Sequence, residues 1–130
     1  MIQLKIRTEY SFGQTYAPIS RIIQRLKELG CTSAGIVDNS TWGHVKWHEA
    51  CIQAGISPML GVEVCVSDDN TAHRMWFLAM DEAGLAELYK ATSKSHLQQL
   101  KTKYGSTPRL YRNDVLNMNM TPSMSKSINR

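Results

Sequence analysis

Apolar residues occupy every second position at the start of the chain. This period of two is typical of a β-strand, and its apolar positions are Ile2, Leu4 and Ile6. From residue 17 the apolar period changes to that of one face of a helix. Pro18 suits the first turn of such a helix and Gly30 its end, so we expect a helix between them.

Strand-like and helix-like patterns continue to alternate along the chain. Residues 33–37 and 74–79 are apolar runs typical of buried strands, and a third strand is expected after Pro58. Helices are expected over residues 43–54, with Gly55 as the stop, and from residue 81 to about residue 100. The pattern therefore predicts strands and helices in regular succession.

Strands that alternate with helices predict an α/β fold around a mainly parallel sheet. About four strands and three to four helices are too few for a closed barrel of about eight strands. We therefore expect an open, partial (β/α) barrel over residues 1–104. An open parallel sheet exposes apolar faces and unpaired edges, which a partner chain or a second copy would cover.

Charge separates the C-terminal segment from the rest of the chain. With 42% hydrophobic and 20% charged residues, the composition is that of an ordinary globular domain. Residues 1–100 contain nine Lys and Arg against ten Asp and Glu, whereas residues 101–130 contain six against one. The end is also rich in Ser, Asn and Met, so we expect residues 105–130 to form a basic, irregular tail.

Such a tail is either simply solvated or contacts DNA phosphates or an acidic partner. The candidate contact residues are Lys101, Lys103, Arg109 and Arg112.

The sequence shows no sign of secretion or of membrane insertion. The start alternates instead of forming the apolar core of a signal peptide, and no apolar run approaches the roughly 20 residues that cross a bilayer. Cys31, Cys51 and Cys65 lack CxxC spacing and are expected to be small buried hydrophobes. We therefore expect a cytoplasmic protein without membrane contact.

Three short motifs together carry a family resemblance. They are Arg-Thr-Glu-Tyr-Ser at residues 7–11, Ile-Val-Asp at residues 36–38 and Gly-Val-Glu-Val at residues 61–64. In this order they resemble the N-terminal part of the PHP (polymerase and histidinol phosphatase) domain of bacterial DNA polymerase III alpha subunits. The resemblance implies about half of a PHP domain and none of the polymerase palm, fingers or thumb.

The resemblance also implies a metal site at the carboxyl ends of the strands. In the family, clustered imidazoles and carboxylates share metal ions and activate water between them. Three potential ligands are retained here, namely Asp38, Glu63 and His73. We expect this vestigial site to be empty, with no catalytic residue and no resident cofactor.

Four positions of the family's histidines hold other residues. The His-x-His motif corresponds to Lys5 and Arg7, a loop histidine to Gln14, and the histidine of Thr-Asp-His to Asn39. Arginine stays protonated and cannot bind a metal ion, and a lysine would need a strongly lowered pKa to do so. We interpret Arg7, helped by Lys5, as a charge substitute that neutralises the retained carboxylates in place of the metal.

Two other groups of residues invite a functional interpretation. His44 and His48 have the i, i+4 spacing of a metal-binding helix pair, but no third ligand accompanies them, so we expect ordinary helix residues. Trp42, Trp47 and Trp76 could stack on bases. We expect them instead to pack against the sheet.

Three functions follow as hypotheses. The leading one is a non-catalytic scaffold or protein-interaction module of DNA replication, either a piece or a mimic of an alpha subunit. The resemblance implies the polymerase core or a proofreading exonuclease subunit as its partner, and the open sheet allows a homo-oligomer. The rival is a metal-dependent phosphoesterase or 3′–5′ exonuclease that oligomerisation completes and that uses Zn, Mn or Mg. The third is a nucleic-acid-binding accessory protein, and the short chain suggests a phage or mobile-element origin.

Overall fold

The computed structural model describes residues 1–69 and 71–118, together with the backbone of residues 124–129. The chain divides into two compact units, Met1–Val62 and Glu63–Arg130. The predicted division after residue 104 therefore falls inside the second unit.

The first unit contains three parallel strands and two helices. They are β1 (Ile2–Ile6), α1 (Ile19–Glu28), β2 (Ser33–Asp38), α2 (His44–Gln53) and the first part of β3 (Ser57–Ser67). β2 lies between the other two strands, and its Ala34 is opposite Gln3 of β1 and Pro58 of β3. Both crossovers from strand to parallel strand are made by a helix, as the alternation in the sequence predicts.

Both helices of the first unit end at a predicted glycine. Gly30 has a φ of 69°, a backbone conformation that glycine adopts without strain. The amide of Cys31 donates to the carbonyl of Leu26 at 2.9 Å, which closes the turn in the manner of a Schellman motif. α2 ends in the same way at Gly55, so these two residues account for the sharp return of the chain to the sheet.

The core of the first unit lies between the two helices and β2. Its buried members are Ile19, Ile23, Leu26, Cys31, Ala34, Ile36, Trp47, Cys51 and Ile56. Trp47 is fully buried, which confirms that it packs in the core. The same expectation for Trp42 is wrong, because this residue lies in the loop before α2 and is 65% exposed, with its ring against that of Phe12.

The second unit begins with the rest of β3 and adds one long helix and several short elements. They are β4 (Ala72–Ala79), α3 (Glu82–Leu97), β5 (Leu100–Thr102), β6 (Gly105–Thr107), β7 (Arg109–Tyr111), α4 (Arg112–Leu116) and β8 (Met124–Asn129). β7 pairs in parallel with the end of β3, β8 pairs antiparallel with β4, and β5 and β6 form a separate two-stranded sheet. Asp81 caps α3 by accepting a hydrogen bond from the amide of Gly84 at 2.8 Å.

Residues 105–116 contain regular structure where the sequence predicts an irregular tail. Leu110 and Val115 are buried, at 1% and 4% exposure. The carboxylate of Asp114 accepts a hydrogen bond from the amide of Tyr111 at 2.9 Å and so caps α4. Two apolar anchors and one cap therefore order a segment whose composition is polar. The rest of the predicted tail includes residues 119–123 and 130, which lie outside the described residues.

The predicted fold class is confirmed. The main sheet is open, its pairs β1–β2, β2–β3 and β3–β7 are parallel, and four helices accompany it among the described residues. The sequence pattern does not predict β5 to β8. β5, β6 and β7 have three residues each, which leaves little periodicity to recognise, and β8 is a polar strand of six residues with one isoleucine and one methionine. None of the described helices is long and apolar enough to cross a membrane.

Candidate functional site

Arg7 and Asn39 directly follow the neighbouring parallel strands β1 and β2. Because parallel strands bring their carboxyl ends to the same edge of a sheet, the side chains of the two following loops meet there. Arg7 Nη1 donates to Gln14 Oε1 at 2.6 Å and to Asn39 Oδ1 at 3.0 Å. Three of the four positions at which the resemblance implies family histidines are thus joined by hydrogen bonds around one guanidinium. We refer to these three residues as the Arg7 cluster.

Asp38, the last residue of β2, is fully buried and accepts three hydrogen bonds. They come from the amide of Thr8 at 2.7 Å, from the Thr8 hydroxyl at 2.6 Å and from the Ser11 hydroxyl at 2.6 Å. Hydrogen bonds to a charged acceptor are stronger than neutral ones, and they offset the cost of burying the carboxylate. Asp38 therefore fastens the loop after β1 to the end of β2.

Sequence reasoning missed Thr8 and Ser11 as partners of Asp38. The available signal was the pair of hydroxyl residues in the loop after β1, since buried polar groups are nearly always hydrogen-bonded. The predicted neutralisation of the retained carboxylates by Arg7 and Lys5 stays a prediction.

The loop after β1 also contacts the start of α2 and the residue before it at two further points. Lys46 Nζ lies 3.0 Å from Glu9 Oε1. Gly43 packs against the ring of Tyr10 so closely that an added Cβ would lie 2.9 Å from Tyr10 Cδ2. These two contacts join the loop after β1 to the start of α2.

His44 and His48 differ in their surroundings, although they are one helical turn apart. His44 is 2% exposed, and its Nε2 lies 2.9 Å from the carbonyl oxygen of Gly61. Burial lowers the pKa of His44, against smaller opposite effects of the Gly61 carbonyl and the Asp38 charge. His48 is exposed, so the two imidazoles do not share one surface.

Glu63 and His73, the other two potential ligands that the resemblance implies, belong to the second unit. Glu63 is 4% exposed, and its Oε1 lies 3.5 Å from Arg74 Nη1. His73 on β4 is exposed and borders a cavity of about 490 Å³ whose lining also includes Val66 and Val115. One carboxylate is thus paired with an arginine, and the imidazole lies at the rim of an open cavity.

The residues of the Arg7 cluster do not fit a divalent metal ion. A guanidinium stays protonated and repels a cation, and the side-chain oxygens of Gln14 and Asn39 already accept its hydrogen bonds. Both carboxylate oxygens of Asp38 are also occupied by hydrogen bonds. Within the part of the chain that the structure describes, no three His, Cys, Asp or Glu residues form a group that could hold a metal ion.

The four candidate contact residues of the basic segment divide into two pairs. Lys101 and Lys103 are exposed on β5 and in the turn after it. Arg109 donates a hydrogen bond to the Tyr111 hydroxyl at 2.7 Å, and Arg112 Nη1 lies 3.2 Å from Asp68 Oδ2. The Asp69 amide and then Arg112 lower the pKa of Asp68. The two arginines therefore interact with other residues of the second unit, whereas the two lysines are exposed to solvent.

Comparison with known proteins places these features in a family context. A family model described as the PHP domain matches residues 3–124. The DNA polymerase III subunit alpha of Bacillus subtilis (strain 168) is 26% identical over 112 residues, which cover 83% of this chain and 10% of that protein. The same subunit of Borreliella burgdorferi is 27% identical over 126 residues, which cover 88% of this chain and 11% of that protein. This chain thus spans about a tenth of the length of these relatives.

A solved structure shares the fold. A protein from Bifidobacterium adolescentis described as a metal-dependent phosphoesterase matches with a TM-score of 0.54 at 20% sequence identity. The match covers 77% of this chain and 35% of that one. At this level of identity the likeness shows a common β/α architecture.

Proposed function

Because this chain belongs to the PHP domain family, we propose that it is a non-catalytic scaffold or protein-interaction module associated with DNA replication. It matches a tenth of a DNA polymerase III alpha subunit, and in this proposal it acts as a separate piece or a mimic of that subunit. The proposal places it in the cytoplasm, as a product of a phage or another mobile element.

The observation that carries the proposal is the Arg7 cluster. At the carboxyl ends of β1 and β2 the resemblance implies metal-binding histidines. Here the guanidinium of Arg7 instead donates hydrogen bonds to the side chains of Gln14 and Asn39. This arrangement supplies a fixed positive charge without a metal ion. It also joins the loops after β1 and β2, as a shared metal ion would. A guanidinium cannot activate water as a metal ion does.

The retained carboxylates fit the same proposal. Asp38 accepts three hydrogen bonds from Thr8 and Ser11, which are groups of the fold itself. Glu63 lies next to Arg74, so a protein cation accompanies this buried acid. In this proposal the two carboxylates support the fold and do not bind a metal ion, and the protein acts through its surface.

The partners in this proposal follow from the relatives and from the open sheet. We propose the polymerase core or a proofreading exonuclease subunit, since the relatives are DNA polymerase III alpha subunits. A homo-oligomer is the alternative, because β1 is the last strand at its end of the described sheet order.

A second candidate function is a metal-dependent phosphoesterase or 3′–5′ exonuclease completed by oligomerisation. Two observations favour it: the fold resembles that of a protein described as a metal-dependent phosphoesterase, and potential ligands remain at Asp38, Glu63 and His73. Under this alternative the protein would take up Zn, Mn or Mg. The third hypothesis, a nucleic-acid-binding accessory protein, depends on the basic residues after residue 100 and not on these ligands.

Two measurements on the purified full chain test the proposal. The first is phosphodiesterase activity on bis-p-nitrophenyl phosphate and on a labelled DNA 3′ end with added Mn²⁺, compared with an Asp38→Asn variant. The second is native mass spectrometry of the chain mixed with the polymerase core and the exonuclease subunit of its own replication system. The proposal predicts no activity above that of the variant and a stable heteromeric complex. Metal-dependent activity that is absent from an Asp38→Asn variant shown by circular dichroism to be folded would favour the enzyme, and the absence of any complex would refute the scaffold.

A further inference from the structure

The hairpin formed by β5 and β6, residues 100–107, is separate from the main sheet. Its strands pair with each other, with Lys101 opposite Ser106 and Thr102 opposite Gly105. All residues from 101 to 107 are exposed, and Tyr104 in the turn is 88% exposed. The hairpin therefore presents nearly its whole length to solvent.

The turn of the hairpin is ordered by local hydrogen bonds. The amide of Tyr104 donates to Thr102 Oγ1 at 3.2 Å, and the same hydroxyl donates to the carbonyl of Gly105 at 2.9 Å. Gly105 has a φ of 127°, a conformation that other residues rarely adopt. Lys103 Nζ lies 4.8 Å from the centroid of the Tyr104 ring. A cation and an aromatic ring are thus adjacent at the tip of a defined turn.

Charge in this part of the chain has one sign. Residues 95–113 contain four Lys and Arg and no Asp or Glu. Of the four, Arg109 and Arg112 are engaged with Tyr111 and Asp68. Among the described residues, no ion pair involves the two lysines of the hairpin.

We infer that the β5–β6 hairpin binds single-stranded nucleic acid, with Lys101 and Lys103 contacting phosphates and Tyr104 stacking on an unpaired base. Lysines supply an attraction that is independent of sequence, and every base has a face on which an aromatic ring can stack. The hydroxyls of Ser106 and Thr107 add hydrogen-bond donors of the kind that contact phosphate oxygens.

An acidic protein surface fits the hairpin less well. Protein interfaces bury an apolar centre surrounded by a polar rim, and the exposed residues 101–107 include one aromatic residue and no aliphatic one. Duplex nucleic acid offers phosphates to the lysines but no unpaired base to Tyr104. The inference goes beyond the proposed docking function and does not depend on it, since the hairpin plays no part in the Arg7 cluster.

Fluorescence anisotropy of a labelled oligothymidylate of about 20 nucleotides, titrated with the full chain, tests this inference. Lys101→Ala with Lys103→Ala removes two charges from the hairpin. Arg21→Ala with Lys27→Ala is the matched control, because it removes two exposed charges from α1. Tyr104→Ala removes the ring, and Tyr104→Phe keeps it. Each variant is checked for an unchanged melting temperature before titration.

The hairpin double variant is expected to bind about 10-fold more weakly at low salt and to reduce the slope of log affinity against log salt by about 1.4. Tyr104→Ala is expected to lower the affinity for the oligothymidylate about 10-fold, and Tyr104→Phe is expected to bind it like the unmodified chain. Equal losses in both double variants would show a general charge effect and overturn the site. Failure of the unmodified chain to bind at low salt would also overturn it. The site would likewise be overturned if the chain bound duplex DNA or polyglutamate as tightly as the oligothymidylate and Tyr104→Ala had no effect.

Discussion

The guanidinium of Arg7 donates a hydrogen bond to the side-chain oxygen of Asn39, 3.0 Å away. The two residues follow neighbouring parallel strands, so this one bond joins two loops that start at the same edge of the sheet. The same nitrogen also reaches Gln14 at 2.6 Å. A protein cation thus stands where the family resemblance implies metal-binding histidines.

A double-mutant cycle of Arg7→Ala and Asn39→Ala measures how strongly the two loops are joined. We expect a coupling of about 0.5–1.5 kcal/mol in the free energy of unfolding, because the bond is charge-assisted but partly solvated. Urea denaturation of the four proteins gives this value. The pair Arg25 and Glu28 on α1, which is exposed and 3.0 Å apart, serves as control and should couple by less than about 0.5 kcal/mol. Equal coupling in both cycles would contradict a special role for Arg7.

Asp38→Asn tests whether this buried carboxylate supports the fold. The new amide group would bring a donor to face the donors of Thr8 and Ser11, and the charge that strengthens their bonds would be lost. We expect the free energy of unfolding to fall by about 2–4 kcal/mol. Asp69→Asn, at an exposed position, is the control and should change stability by less than about 0.5 kcal/mol. A fully stable Asp38→Asn protein would mean that Asp38 is kept for something other than stability.

His44 makes stability depend on pH in a defined direction. Burial lowers the pKa of His44 from its ordinary value of 6.5, so the folded protein disfavours the protonated imidazole. Below pH 6.5 the imidazole therefore takes up a proton more readily in the unfolded chain than in the folded protein. The free energy of unfolding should fall as the pH decreases from 6.5 to the lowered pKa of His44 in the folded state.

Denaturation between about pH 7.5 and pH 5.5 checks this dependence. His44→Gln can still donate to the Gly61 carbonyl but does not titrate, so the slope of stability against pH should become smaller. His48→Gln, at an exposed position, should leave the slope as it is. An unchanged slope in His44→Gln would assign the pH dependence to other groups.

The helix ends of the first unit could be predicted because the signals are local. Gly30 and Gly55 have the positive φ angles that favour glycine, and the sequence alone shows where such residues interrupt a helical period. The order of strands and helices followed from the same kind of pattern. What depended on a few neighbouring residues was therefore accessible from the sequence.

The parts that could not be predicted depend on residues far apart in the chain. Asp38 receives its hydrogen bonds from residues 30 and 27 positions earlier, which no local pattern reveals. Leu110 and Val115 look like isolated apolar residues in a polar segment, yet their burial orders β7 and α4. Trp42 and Trp47 are similar by sequence, and only the position of the helix start determines that one is exposed and the other buried.

Zinc binding by the unmodified chain and by the triple variant Arg7→His, Gln14→His, Asn39→His shows whether the Arg7 guanidinium stands in place of a metal ion. Three imidazoles at the positions now joined by the guanidinium would form an ordinary three-histidine ligand set. By isothermal titration calorimetry, we expect no specific Zn²⁺ uptake by the unmodified chain or by the control Arg7→Gln, and about one Zn²⁺ per chain in the triple variant. Stoichiometric, tight Zn²⁺ binding by the unmodified chain would show that Arg7 does not replace a metal ion, and it would favour the metal-dependent enzyme.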